Sequence, residues 1–233
     1  MTLSVVADKD YELAALTVTN ENGGKVKLTE TNGKFAFTMP ASKVTVEAAF
    51  TAIAGKAENP FTDVPGDAYF ADAVIWAVGK GITSGTTATT FSPNASCTRG
   101  QMVTFLWRAA GSPAPTSSKM PFTDVPVTAY YYDAVLWAVE QGITSGTTAT
   151  TFSPNATVTR AQAVTFLWRA AGSEVIQTAA PFVDVKYGMY YYNAVAWAVE
   201  NDITNGTSQT TFSPTQNCTR AQIVTFIWRY MGA

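Results

Sequence analysis

The sequence predicts a mainly α protein: three helix-loop-helix repeats gathered into a pseudo-threefold bundle, preceded by a small N-terminal β module. Three observations predict it. The openings "PFTDV" (60–64), "PFTDV" (121–125) and "PFVDV" (181–185) start three similar units 61 and 60 residues apart. Each unit carries two stretches whose apolar residues recur at helical spacing. Ahead of the first unit, polar and apolar residues alternate in the manner of strands.

Residues 1–50 form the β module, or the tail of one. "LTVTN" and "KVKLT" flank the turn residues Glu21, Asn22, Gly23 and Gly24, which predicts a hairpin. "KFAFTM" and "VTVEAAF" follow, separated by "PASK". Residues 51–60 have weak patterning and read as a linker. Met1 leads directly into a strand-like segment, so the chain is expected to be the C-terminal part of a larger secreted protein, and the lack of a signal peptide does not argue for the cytosol.

The repeats occupy 61–120, 121–180 and 181–233. In the first helix of unit one, Tyr69, Ala73, Trp76 and Ala77 stand on one face. Gly81 and Gly142 can close the first two such helices in the left-handed conformation, while the third has Asp202 there. A loop with a short strand around Thr90 and Phe91 leads to the second helix. Thr98 with Gln101, Thr159 with Gln162 and Thr219 with Gln222 make capping boxes at its start. Met102, Phe105, Leu106 and Ala109 then form a buried stripe. No unit buries its apolar face alone, so the three pack together, as a closed threefold arrangement or a short open stack.

Composition narrows the function. The chain is 47% apolar and 14% charged with a net charge of −2, a globular composition with no general attraction for nucleic acid. No apolar run approaches a membrane span. With no histidine and two cysteines, no metal or cofactor is expected, and no mechanism can use an imidazole. The acidic residues form no constellation beyond the repeated aspartates, so no catalytic set emerges and the chain is not expected to be an enzyme. Cys97 and Cys218 share one repeat position, filled by Val158 in the middle unit, and read as small apolar staples ahead of the caps. A bridge between units is the alternative in an oxidising setting.

All six arginines fall at two repeat positions, and so do all six tryptophans. Arg108, Arg169 and Arg229 sit in the last turn of their helices, where a cation complements the dipole. Arg99, Arg160 and Arg220 sit in the first turn, where a positive charge costs roughly 0.3–1 kcal/mol. A second anion would explain that choice three times over: free helix N–H groups and a guanidinium together make a carboxylate or phosphate receptor. The anion is either internal, from Asp63, Asp124 and Asp184, or an external polymer with several like groups.

Trp107 and its equivalents read as core. Trp76, Trp137 and Trp197 can line a groove and stack on a sugar ring. The clusters around Tyr69, Tyr130 and Tyr190 are too rich in aromatic rings for one helix face, so some rings reach the surface, where tyrosine suits carbohydrate.

The run "FTDV…Y…A…GIT(S/N)G…FSPN…TRAQ…R" resembles the S-layer homology repeat, present three times over roughly residues 60–233. "KFAFTMPASKVTVEAAF" is similar to the end of a β-repeat of Gram-positive surface proteins. The resemblance implies a non-catalytic module that holds an extracellular protein on the cell wall. It implies grooves between units that bind a secondary cell-wall polysaccharide, often through a pyruvylated amino sugar. The family's ketal-binding arginine maps to Arg99, Arg160 and Arg220, and its loop glycine to Gly85, Gly146 and Gly206. The sequence departs from the family at three points. Gln101, Gln162 and Gln222 replace a glutamate, Tyr69, Tyr130 and Tyr190 replace a tryptophan, and "GTTATTFSPN" replaces a loop with aromatic, acidic and basic residues. The competing partner class is protein: the repeats would then self-associate or meet another surface protein, with the tyrosines as interface.

Overall fold

The structure, a computed structural model, describes residues 1–7, 11–31, 34–52 and 59–232. The chain divides into two compact units, Met1–Lys56 and Ala57–Ala233. Most of the linker expected over 51–60 lies outside the described residues.

The first unit holds β1 (Thr2–Ser4), β2 (Tyr11–Asn20), β3 (Thr29–Thr31), β4 (Lys34–Ala36) and β5 (Val44–Ala52). They form two antiparallel sheets, one ordered β1-β4-β3 and one made of β2 and β5. The turn after β2 forms where expected: Asn20 Oδ1 accepts the N–H groups of Asn22 and Gly24 at 3.1 and 2.7 Å. The hairpin itself is brief. "KVKLT" contributes one bridge, Thr19 to Lys25, before the chain turns away, and the long partner of β2 is β5. β5 runs beside β2 along its whole length, whereas the 25–29 segment makes that single bridge.

Among its described residues the second unit contains six helices: α1 (Ala71–Gly79), α2 (Arg99–Ala109), α3 (Tyr132–Glu140), α4 (Arg160–Ala170), α5 (Tyr192–Glu200) and α6 (Arg220–Met231). All three capping boxes are formed; Thr98 Oγ1 accepts the Gln101 N–H at 3.2 Å, and Gln101 Oε1 accepts the Thr98 N–H at 3.1 Å. Gly81, Gly142 and Asp202 all take left-handed φ of 68°, 67° and 54°. The N–H of Ile82 then reaches back to Ala77 O at 2.8 Å, and Ile143 and Ile203 do the same, closing each helix.

Two expectations need correction. Tyr69, Tyr130 and Tyr190 lie ahead of their helices, in a turn closed by the Ala68 N–H to Pro65 O, the Ala129 N–H to Pro126 O and the Met189 N–H to Lys186 O; the α1 ladder begins only with the Val74 N–H to Phe70 O. The segment around Thr90 and Phe91 is irregular. Its Phe91 and Ser92 N–H groups are taken by the Asp63 carboxylate at 2.8 and 2.7 Å, so they join no ladder.

The arrangement is a closed ring. Helix pairs in contact are α2 with α3, α4 with α5 and α6 with α1, while α2, α4 and α6 meet one another at the centre. The second helix of each unit thus packs on the first helix of the next, and the third unit returns to the first. At the centre three short segments cross: the Cys97 N–H donates to Cys218 O, the Cys218 N–H to Val158 O, and the Val158 N–H to Cys97 O, at 2.9, 2.8 and 2.9 Å. One continuous core results, with Phe91, Phe152 and Phe212 fully buried in equivalent places. No helix among the described residues is long and apolar enough to cross a membrane.

Candidate functional site

Each arginine of the "TR" step crosses into the neighbouring unit. Arg99 Nε donates to Phe152 O, Arg160 Nε to Phe212 O and Arg220 Nε to Phe91 O, at 2.8, 2.8 and 2.9 Å. Every guanidinium lies between two phenyl rings; for Arg99 these are Phe152 at 4.7 Å and Phe166 at 5.2 Å from the ring centroid. All three arginines are only 3% exposed. Burial pushes their pKa down from the ordinary value, and nearby Tyr190 and Asp124, in the case of Arg99, partly offset it.

The helix N–H groups are not free. The N–H groups of Arg99 and Gly100 donate to Ala156 O and Pro154 O of the next unit, and the other two units repeat the pattern. The arginine at the positive end of its helix is therefore explained locally: that end faces a row of carbonyl oxygens, which offset the unfavourable charge. The expected receptor of loose N–H groups is corrected accordingly. Direct pairing with aspartate is corrected too. Asp63, Asp124 and Asp184 spend both carboxylate oxygens on backbone N–H groups, those of Phe91 and Ser92, Phe152 and Ser153, and Phe212 and Ser213.

What remains uncommitted is one edge of the guanidinium. Nη2 of Arg99 and of Arg220 is buried with no hydrogen-bond partner among the described residues, and Nη2 of Arg160 makes only a long contact of 3.4 Å to Thr204 Oγ1. Arg160 lines an open cavity of about 450 Å³ together with Tyr69, Gly206, Gln222 and Arg229. Equivalent residues come near one another at the other two arginines. Tyr130 feels Arg220, with Thr98 beside it, and Tyr190 feels Arg169 and Arg99, with Thr159 beside it. Partial burial raises the pKa of all three phenols, while Tyr69, Tyr130 and Tyr190 as whole residues stay 62%, 60% and 59% exposed.

The loop glycines have a backbone reason of their own. Gly85, Gly146 and Gly206 take φ of 85°, 88° and 81°, and a Cβ on any of them would lie 2.5 Å from Phe61, Phe122 or Phe182. Gly206 also lines the cavity. Of the first-helix tryptophans, Trp137 and Trp197 are 8% and 2% exposed, belong to the core and present no stacking face, while Trp76 is half-buried at its edge. Trp107, Trp168 and Trp228, expected in the core, are half-buried against it too, and Trp107 Nε1 donates to Pro113 O at 2.8 Å.

Sequence reasoning missed Arg229, Gln222 and Thr204, which line the cavity. A last-turn arginine has a sufficient dipole explanation, and that masked the signal that arginine recurs at two repeat positions. Arg108, Arg169 and Arg229 each donate through Nη1 to Ile82 O, Ile143 O or Ile203 O, so the first helix's closing loop holds them in place.

Comparison with known proteins agrees with this geometry. The S-layer homology domain matches residues 60–103, 121–164 and 181–224. An endoglucanase of Bacillus sp. (strain KSM-635) is 37% identical over 107 residues, 46% of this chain and 11% of that protein. A cell surface protein of Thermoanaerobacter kivui is 34% identical over 125 residues, 52% of this chain and 16% of the relative. A surface-layer 125 kDa protein of Lysinibacillus sphaericus is 32% identical over 139 residues, 59% and 12% of the two chains. The chain thus spans well under a quarter of the length of these relatives. Three family matches laid on three units that close into one ring settle the assignment: the chain belongs to the S-layer homology domain family of cell-surface modules.

Proposed function

We propose that this chain is a non-catalytic anchor that holds its parent protein on the cell wall by binding an anionic secondary wall polysaccharide in grooves between units, with an acidic ketal of the pyruvylated-sugar kind as the recognised group. The observation that carries this reading is the uncommitted Nη2 of Arg99 and Arg220, a buried cationic donor beside an exposed tyrosine. A buried donor left without a partner costs about 1–3 kcal/mol, more when charged, and a carboxylate oxygen removes that cost. The tyrosine ring offers a sugar the flat apolar face, and Gln222 and Arg229 supply further donors at the Arg160 groove. Several weak sites on one polymer gain by effective concentration. The endoglucanase match covers 11% of that enzyme, which fits an anchor shared by proteins of different activity.

The test is co-sedimentation of the protein with purified walls, before and after the polysaccharide is stripped. Arginine-to-alanine changes would disturb a buried contact, so the informative variants are Tyr69→Ala, Tyr130→Ala and Tyr190→Ala combined, and Arg99→Lys, Arg160→Lys and Arg220→Lys combined. Retention should be lost on stripping and in both triple variants. Retention on stripped walls overturns the reading.

A second reading, self-association of surface modules, is favoured by the exposed apolar side chains of Val127, Val183 and Tyr187 on the turns that open units two and three. Oligomers that grow with concentration in the absence of wall material would select it.

A further inference from the structure

We infer that Cys97 and Cys218 are a disulfide site that closes the ring covalently. Two of the three interfaces between units are also joined by the chain itself, which runs from α2 to α3 and from α4 to α5. The third, α6 against α1, is held by noncovalent contacts alone. Cys97 belongs to unit one and Cys218 to unit three, so the pair spans the unjoined interface, and the equivalent position in the middle unit, Val158, has no partner to bond.

The geometry brings the two together. Ser96 and Thr219 form an isolated antiparallel bridge, and one residue further on the Cys97 N–H donates to Cys218 O at 2.9 Å, while the Cys218 N–H turns to Val158 O. A hydrogen-bonded antiparallel pair has Cα atoms about 5.5 Å apart, and the one such bond that Cys97 and Cys218 keep holds their backbones near that spacing. That separation lies inside the roughly 4.4–6.8 Å that a disulfide spans. Both side chains are unbonded thiols here, both are fully buried, and both belong to the same core.

The setting supplies the chemistry. A cell-surface protein meets oxidising conditions, where cysteine pairs form and persist. The two thiols lose two protons and two electrons and the S–S bond forms. A low-molecular-weight disulfide takes the electrons, and its own S–S bond breaks to leave two thiols. Burial pushes both thiols up to about 12, so exchange in the folded ring is slow. The bond therefore forms as the chain folds, and once formed it is shielded from reductant.

The experiment uses the whole chain, refolded in a glutathione redox buffer, then unfolded, treated with iodoacetamide and weighed. The bridged protein takes up no alkyl group, is lighter by two hydrogens, and yields a cross-linked peptide containing Cys97 and Cys218. Its melting temperature falls by roughly 5–15 °C when the bond is reduced during unfolding. The double variant Cys97→Val with Cys218→Val, which copies the middle unit, folds and melts at the same temperature with or without reductant. Two alkyl groups taken up after oxidative refolding overturn the inference, as does a bond found only between separate chains.

Discussion

Asp124 and Arg99 grip the two ends of one residue in the neighbouring loop. The Asp124 carboxylate accepts the Phe152 N–H at 2.8 Å, and Arg99 Nε donates to the Phe152 carbonyl at 2.8 Å. Opposite charges that do not touch are thereby coupled through a single residue, whose ring also lies 4.7 Å from the guanidinium. Asp184 with Arg160, and Asp63 with Arg220, do the same at Phe212 and Phe91.

This predicts a specific cost for losing the carboxylate. In Asp124→Asn one acceptor oxygen becomes an NH₂ donor that faces a backbone N–H. The variant should lose about 1.5–3 kcal/mol of stability, the range for hydrogen bonds to charged groups. Urea unfolding followed by far-UV circular dichroism measures it, and no loss would show that the loop keeps its shape without the clamp.

Gly206→Ala should be more damaging than a loop glycine change usually is. The new Cβ meets Phe182 and the Thr211 carbonyl at 2.5 Å, and the residue must hold φ of 81°. The expected loss is about 2–4 kcal/mol from crowding and left-handed strain combined. Thermal melts of Gly206→Ala beside Gly66→Ala, which has open space around its Cβ, separate the steric effect from glycine loss in general.

Asp202→Gly should stabilise. Asp202 holds φ of 54° where the other units have Gly81 and Gly142. Relief of the left-handed strain, less the added freedom of the unfolded chain, leaves a gain of about 0.5–1 kcal/mol. A rise in the urea midpoint with unchanged slope is the expected result.

Under reducing conditions the thiols make stability sensitive to alkali. Burial raises Cys97 and Cys218 from 9.0 to about 12, so the unfolded chain gives up these protons first. The thiol contribution is complete below pH 9 and is lost as pH rises toward 12. Urea midpoints between pH 8 and pH 11 should therefore fall more steeply for the native sequence than for the double valine variant, and equal slopes would refute it.

Short-range features were legible in the sequence. The capping boxes need only residues three apart, and the left-handed closures at Gly81 and Gly142 follow from local sterics. What could not be read were partners fixed by the ring. Arg220 bonds to Phe91, 129 residues away, and nothing local says that unit three returns to unit one. The apolar spacing of Tyr69, Ala73 and Trp76 imitated a longer helix, and the turn that holds the tyrosine outside it forms with Pro65, Pro126 or Lys186 alike, so no single residue type announced it. Trp137 and Trp197 were misplaced because helical periodicity gives a face but not which neighbour covers it; Trp197 is covered in part by Tyr230 of α6.

The ring has a consequence for how such anchors can grow or shrink. Tyr69 comes from unit one, Arg160 from unit two, and Thr204, Gln222 and Arg229 from unit three, yet they line a single groove. Tyr130 with Arg220 and Thr98, and Tyr190 with Arg99 and Thr159, also draw on all three. Three repeats therefore do not amount to three separable grips. Removing any one repeat from this chain takes residues from all three clusters at once, so a two-repeat version should lose them together rather than one at a time.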